Sequence, residues 1–468
     1  MMSYEDSWDL LSNAARKPLR NLERLGAKQV EAYFLASRTT ETSIRNSEIF
    51  TENSMEDMGV SFRVATSDNR VGFACTNGVG SEKAILEAAE KAFAIAKLST
   101  PVSGFALPAK HKAPQVEGLF DKVVVDLNVE DSVDIARRLI QAAEGVDKRV
   151  TAKGGAVSVS HLKKGVLNSL GVDLEAEETL VAAYVYGSGS QNGKVTPSCF
   201  DGELRRDFNL NPEKVGKSVG RTIVGLFSPK PVGSFEGTVV FEPEAVSYQF
   251  CDALIGALNG ENVVAGGSAW IGKTGEAVAS ECFTLLDDAT LKGGFASRYF
   301  DDEGYPSQQT PLVSKGKLRS YLHSATTANR LKMKNTGNAS RFSGGLDMVK
   351  SIIGSGYKAK PEVYPSNLVI QPGRKSTEEL VSEVDRGALV GSMAGFVQAG
   401  SGLISAQLGR AHYIEDGELK HPIKEGMVSG VAFDWLKQVD AVGKQAKQFF
   451  NSVVPALRVE KVKVVGSQ

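Results

Sequence analysis

The period of the hydrophobic positions changes several times along the chain, and the changes divide it into three units. Between Tyr4 and Leu25, the residues Trp8, Leu11, Ala15, Leu19 and Leu22 recur at helical spacing with Gly26 as a stop, which predicts an amphipathic helix. Strand-like runs follow: "QVEAYFLA", "TSIRNSEIF", "GVSFRVAT" and "RVGFACTN", the last two joined by the hairpin-type turn "SDN". "GSEKAILEAAEKAFAIAKLS" closes the unit as a helix, with Ser81 as N-cap and Glu82 in the first turn, where the helix dipole favours an acid.

Pro101 to Pro114 is rich in Pro, Ala and Lys and reads as a linker. Beyond it lie a helix (Val129 to Asp147), strands around "GAVSVSHL" and "KGVLNSLGVDLEAE", a strand "TLVAAYVYGSG" and a helix near Pro212 to Phe227. Their alternation of apolar and polar residues implies a sheet with one solvated face. From about Val232 the chain is rich in glycine and short strands, and Asp416-Gly417 within "HYIEDGELKHPI" is its strongest hairpin signal. The expected fold class is α+β, with two smaller N-terminal α+β units at 1–110 and 115–230 and a larger strand-rich C-terminal domain at 231–468. No fixed-period repeat or low-complexity tract appears.

The length of 468 residues also exceeds what one hydrophobic core usually serves. Lys+Arg 54 against Asp+Glu 55 gives a net charge of -1, so nothing in the overall charge argues for a nucleic-acid partner. Cys75, Cys199, Cys251 and Cys282 lie far apart with no C-x-x-C pair, which argues against a disulfide framework or a zinc ribbon and for a reducing cytosol. "MMSYEDSWDLL" has no basic leader region, and nowhere do eighteen apolar residues run together, so a cytoplasmic protein without membrane spans is expected.

Candidate chemistry is sparse. The histidines His111, His161, His323, His412 and His421 are scattered; His412 and His421 flank one hairpin, but a zinc site needs three or four converging ligands. "GSAWIGKT" (Gly267 to Thr274) satisfies the phosphate-loop pattern G-x-x-x-x-G-K-[ST], yet only "ENVVAGG" precedes it, and "CFTLLDD" follows too soon for a helix and a second strand. "FDDEG" (Phe300 to Gly304) reads as a solvated turn in preference to a cation site. In "GTVVFEPEAVSYQFCDALIGALNGENVV", a strand at Val239 to Phe241 enters a helix on which Val246, Phe250, Leu254 and Leu258 trace one stripe. Cys251 and Ile255 lie on its flank and Asp252 at its polar edge, which makes Cys251 a packed core thiol.

Longer stretches carry a family likeness: "SIRNSEIFTENSMEDMGVSFRVATSDNRVGFACTN", "VLNSLGVDLEAE", "ASECFTLLDDATL", "YFDDEGYPSQQTPLVSKGKLRSYLHSATTANRL", "NTGNASR", "PSNLVIQPG" and "YIEDGELKHPIKEGMVSG". In this order and spacing they resemble the TldD/PmbA (TldE) family, described as modulators of DNA gyrase and classed with metallopeptidases. TldD-like members carry H-E-x-x-x-H on the helix after the strand that opens the third domain, with a Cys near the C-terminus completing the ligand set. In such sites the bound metal polarises the scissile carbonyl and activates water. Aligning "VVF" and "LNG" without a gap puts Cys251 at the first His, Asp252 at the Glu and Gly256 at the second His, and no Cys follows Cys282.

The resemblance therefore implies the TldE/PmbA-like branch, with degenerate positions Cys251, Asp252 and Gly256 and no catalytic residue, metal or cofactor of its own. It implies a TldD-like zinc metalloprotease subunit as partner in a cytosolic protease of unfolded, extended peptides, with self-association as a homodimer as a further expectation and no direct nucleic-acid contact. Two alternatives stay open: a self-sufficient peptidase using Cys251, Asp252 and His412 or His421, and a nucleotide-binding protein acting through Gly267 to Thr274.

Overall fold

The structure, a computed structural model, describes residues 4–341 and 356–466. Helix α1 (Tyr4–Arg24) buries Trp8, Leu11, Ala15 and Leu22 as its periodicity demands, with the Trp8 ring 5.2 Å from that of Phe34. Phe34 lies on β1 (Gln29–Arg45), which turns through Asn46 and Ser47, both at positive φ (48° and 68°), into β2 (Glu48–Ala65). That backbone conformation suits the twist of a tight hairpin. The hairpin is much longer than the apolar runs suggest, because the polar stretch Arg38 to Thr42 stays in the ladder: Thr39 Oγ1 lies 3.0 Å from Ser160 Oγ, and Thr42 Oγ1 lies 2.6 Å from Ser132 Oγ. Buried hydroxyls that bond each other cost little, so polarity here does not signal a loop.

After β3 (Val71–Thr76), α2 (Glu82–Leu98) begins at Ser81, whose side chain accepts from the Ala84 amide at 3.3 Å. The linker is docked: Phe105 and Leu107 are buried, and the Leu107 amide donates to Gln29 Oε1 at 2.8 Å. Next come α3 (Lys122–Val125), α4 (Val129–Glu144), β4 (Val150–Asn168), β5 (Asp173–Gln191), β6 (Lys194–Val195), β7 (Cys199–Arg205) and α5 (Pro212–Gly225). The sheet runs β3-β2-β1-β4-β5-β6, with β7 also on β5. β1 and β4 pair from Glu31↔Asn168 to Arg45↔Gly154, so the two N-terminal units share one continuous sheet.

One face of this sheet carries α1, α2, α4 and α5. The opposite face, expected to be solvated, instead packs on the C-terminal domain: Tyr33, Leu35 and Val166 meet Phe300 and Tyr357, while Leu162 and Leu180 meet Phe295. In that domain, β8 (Phe235–Phe241) lies within a nine-stranded sheet, parallel to Arg386–Val390 and antiparallel to Leu457–Val465. A six-stranded sheet built around Leu285–Asp288 contributes to the same hydrophobic cluster. Asp416 and Gly417 form the foreseen turn at φ 52° and 73°.

The joint between sheet and domain corrects the reading of "FDDEG". Asp301, Asp302 and Glu303 are buried, not solvated. Arg63 on β2 donates to Glu31 at 2.6 Å and to Glu303 at 2.7 Å, and Arg341 also pairs with Glu31. The second oxygen of Glu303 accepts the Ala325 amide at 3.0 Å. Asp301 accepts the amides of Glu303, Tyr305 and Ala339 at 3.0, 2.8 and 3.1 Å, while Gly304 turns the chain at φ +83°. Asp302 accepts the Arg341 amide at 2.8 Å, so each acid has at least one partner distant in sequence, although Asp301 also serves its own turn.

Removing one member of such a buried network strands the charges it held, at a cost of about 3–5 kcal/mol. Arg63→Met is expected to lower stability by about that amount in urea unfolding, against well under 1 kcal/mol for the exposed pair partner Lys17→Met.

Candidate functional site

β8 delivers the chain to Glu242, and Pro243, the first residue of the helical segment, suits that position because its missing N–H needs no partner there. The segment is not uniformly α-helical: Val246–Cys251 forms a π-helical turn before the α-helix Asp252–Leu258. The foreseen stripe of Val246, Phe250, Leu254 and Leu258 is fully buried. Phe250 meets Phe241 edge-on at 5.2 Å, and Trp435 stacks on Phe241 at 5.6 Å, so aromatic packing holds the wide turn against β8. Asn259 ends the helix and caps the next, its Oδ1 accepting the Glu261 amide at 2.7 Å.

The packed-thiol reading of Cys251 agrees with the structure. The residue is 1% exposed, and burial pushes the thiol up to about 12 although a hydrogen bond with Ser452 opposes the shift. It stays protonated near neutrality, and a protonated thiol is neither a nucleophile nor a good metal ligand. Asp252 is exposed, yet the surrounding protein partly desolvates its carboxyl. That environment pushes its carboxyl up to about 6. Tyr364 lies within electrostatic reach of both; burial first, then Asp252 and Cys251, push its phenol up to about 12.

Gly256 is the most constrained of the three positions. A Cβ there would lie 2.4 Å from the Ala399 carbonyl oxygen and 2.6 Å from the Ala399 methyl. Ala399 begins the turn between Met393–Gln398 and Leu403–Leu408, so a β-turn covers the helix face from which a side chain at 256 would project. Met393–Gln398 is an edge strand, with Ala394, Gly395 and Phe396 exposed.

A charged cluster stands where the strand enters this helix. Arg410 contacts Glu242 at 3.3 Å and Glu244 at 3.0 Å. Burial pushes Glu244 up to about 7 against the pull of Arg410, with Glu242 adding to the shift. The sequence reading missed Tyr364, Ser452, Ala399 and Arg410, because each reaches the helix from a distant segment and none belongs to a local motif.

His412 and His421 come within electrostatic reach of each other across their hairpin, and Glu242 also acts on His412. His412 is held by the Gly225 carbonyl at 3.2 Å, and His421 stacks on Tyr413 at 5.8 Å. Among the described residues, no three His, Cys, Asp or Glu side chains converge to hold a metal ion. Gly267 to Thr274 lies in a stretch without helix or strand between Ala265 and Leu285, with Trp270 buried, so the strand–loop–helix frame of a phosphate loop is absent and the nucleotide alternative is set aside.

A strand feeding a helix within a strand-rich third domain, behind a shared N-terminal sheet, is the architecture of a metallopeptidase-related class. The chain matches PmbA/TldA metallopeptidase domain 1 over residues 30–96, the central domain over 123–227 and the C-terminal domain over 234–466. It is 32% identical to a metalloprotease of Methanocaldococcus jannaschii over 82% of this chain and 83% of that one. Against the metalloprotease PmbA of Escherichia coli O157:H7 it is 24% identical over 95% and 94%. The crystal structure of TldE from Thermococcus kodakarensis superposes with a TM-score of 0.85 at 27% identity, covering 96% of this chain and 100% of that one. The chain belongs to the PmbA/TldD family, and its α+β fold is that family's fold. Among the described residues, no helix is long and apolar enough to cross a membrane.

Two outcomes follow from this geometry. Because Asp252 is raised to about 6 in the folded chain, the folded state binds more protons than the unfolded state between about pH 4 and 6, and stability falls as pH rises through that window. Asp252→Asn should remove this component, seen as a flatter pH dependence of the urea midpoint. Gly256→His should destabilise the chain by several kcal/mol, read in thermal unfolding, whereas Asp252→Glu should not.

Proposed function

We propose that this chain is a TldE-type, non-catalytic subunit of a cytoplasmic two-subunit metalloprotease whose other chain, a TldD-like zinc subunit, carries the metal. The observation that carries the reading is the Ala399 turn seated on Gly256. Zinc needs three or four converging donors. At the aligned positions this chain offers a buried protonated thiol, one carboxylate, and a glycine whose missing side chain has no room to be restored. That donor set does not fit a catalytic zinc, and no catalytic step is assigned to it. The same facts weigh against a self-sufficient peptidase, which would need Cys251 as an accessible thiolate.

The exposed edge Met393–Gln398, next to this helix, suits an extended peptide, since main-chain hydrogen bonding to a sheet edge tolerates many side chains. In this reading the chain shapes the peptide-binding chamber and stabilises its partner. The net charge of -1 gives no support for direct DNA contact.

Expressed alone, the chain should purify without stoichiometric zinc by elemental analysis and should leave an unfolded peptide intact. Co-expressed with an H-E-x-x-x-H subunit of the same cell, it should co-purify, and cleavage should appear and survive Cys251→Ala in this chain. Tight stoichiometric zinc on the isolated chain, or cleavage abolished by Cys251→Ala, would overturn the reading.

A further inference from the structure

Where the N-terminal sheet meets the C-terminal domain, the two do not close completely. Among the described residues, a cavity of about 110 Å³ remains between them. One water needs only about 10–15 Å³, so the space admits a ligand of several heavy atoms. Tyr33, Leu35, Leu162, Lys164, Glu178 and Leu180 form the sheet side; the domain side includes Phe295, Arg298, Asp302, Arg341, Tyr364 and Asn451.

The cations of this wall differ in what they have left to give. Arg206 is consumed by Glu178 and by the carbonyls of Thr179, Gly294, Phe295 and Ser297. Arg341 is consumed by Glu31 and by the Ala359 carbonyl at 2.7 Å. Lys164, by contrast, sits 2.9 Å from Glu178 Oε1, an oxygen without a hydrogen-bond partner among the described residues, and 5.8 Å from the centre of the Phe300 ring. Arg298, 8% exposed, gives Nη2 to the Gly337 carbonyl at 3.0 Å, and its Nε has no hydrogen-bond partner among the described residues. A buried guanidinium nitrogen left so costs free energy that a ligand acceptor would recover.

The charge balance points the same way. Lys164 and Arg206 share the single carboxylate of Glu178. Asp287 and Asp301 act on Arg298, and burial raises both carboxyls; Asp302 also lines the cavity, its Oδ2 accepting the Arg341 amide at 2.8 Å. Leu35, Leu162, Leu180 and Phe295 supply an apolar part of the wall, beside the polar groups of Asp302, Tyr364 and Asn451.

We propose that this cavity binds an amphipathic monocarboxylate, with Lys164 and Arg298 holding the carboxylate and the Leu162, Leu180 and Phe295 wall holding the apolar part. Charge-assisted bonds from both cations would fix the head group, and its position between sheet and domain would let the ligand strengthen their joint. The assignment is independent of which subunit carries a metal, and it holds for a free acid or for a peptide C-terminus.

Titration calorimetry of the full chain at pH 7 tests it, with N-acetyl-leucine as the probe. Saturable binding of one molecule per chain is expected, with N-acetyl-leucine amide at least tenfold weaker. Lys164→Gln should weaken the acid at least tenfold, and Lys164→Arg should keep it within about threefold. Leu35→Phe, which fills the cavity from its apolar side, should abolish binding in a chain of unchanged circular dichroism, and it decides the matter if Lys164→Gln does not fold. Hexanoate and the tripeptide Ala-Ala-Leu separate the two sources, since tighter binding of one identifies the free acid or the peptide terminus. Equal binding of acid and amide, displacement by inorganic phosphate at equal concentration, or binding that persists in Leu35→Phe would overturn the proposal.

Discussion

The Arg63 guanidinium, held between Glu31 and Glu303, is the interaction on which the rest of the molecule depends. It joins β2 and β1 of the N-terminal sheet to a turn more than two hundred residues later, and Arg341 returns to the same Glu31 from the other side. Two carboxylates and two guanidiniums buried together are tolerated only because each finds its counter-charge, and the second oxygen of Glu303 is further occupied by the Ala325 amide. Such a network contributes little net stability compared with an apolar contact. Its strength is directional: a sheet displaced by one residue would leave every member unpaired. The register between sheet and domain follows from it, and so do the dimensions of the cavity beside it.

What the sequence made legible was whatever is encoded by near neighbours. Helix α1, the cap at Ser81, the Asp416-Gly417 turn and the buried stripe on the helix after β8 each depend on residues within a few positions of one another, and each stands as the pattern implied. The hairpin β1–β2 was less legible. Arg38 to Thr42 look like a break between two short strands, but ladders on both sides of β1 keep them extended and pair their hydroxyls. Least legible were the acids of "FDDEG", since three carboxylates before a Gly-Tyr-Pro turn look solvated unless the arginines far away in sequence are known to meet them. The surroundings of Cys251 were hidden in the same way: its thiol was read correctly as core, but Ser452 and Tyr364 approach from segments that no spacing rule connects to the helix.

The helix after β8 shows how a scaffold can persist while its donor groups differ. Packing needs Val246, Phe250, Leu254 and Leu258, and all are in place. The three positions beside that stripe answer to different demands. Cys251 fills core volume, Gly256 lets the Ala399 turn lie against the helix, and only Asp252 keeps contact with solvent. The substitutions support one another: a turn seated on Gly256 is compatible with a helix face that carries no imidazole, and a side chain restored at that position alone would be excluded by the turn.

The interface between sheet and domain therefore combines two kinds of polar group, and the difference between them has a physical cause. Arg63, Arg206 and Arg341 lie where carboxylates or carbonyls converge from both halves of the molecule, and closing the interface pairs their charges, although Arg63 Nε has no hydrogen-bond partner among the described residues. Lys164 and Arg298 lie at the margin of the same surface, where apolar side chains from the sheet meet Phe295 and keep the two halves apart. The joint thus pairs the charges of Arg206 and Arg341 more fully than those of Lys164 and Arg298, and that difference is the ground on which the cavity is proposed as a binding site.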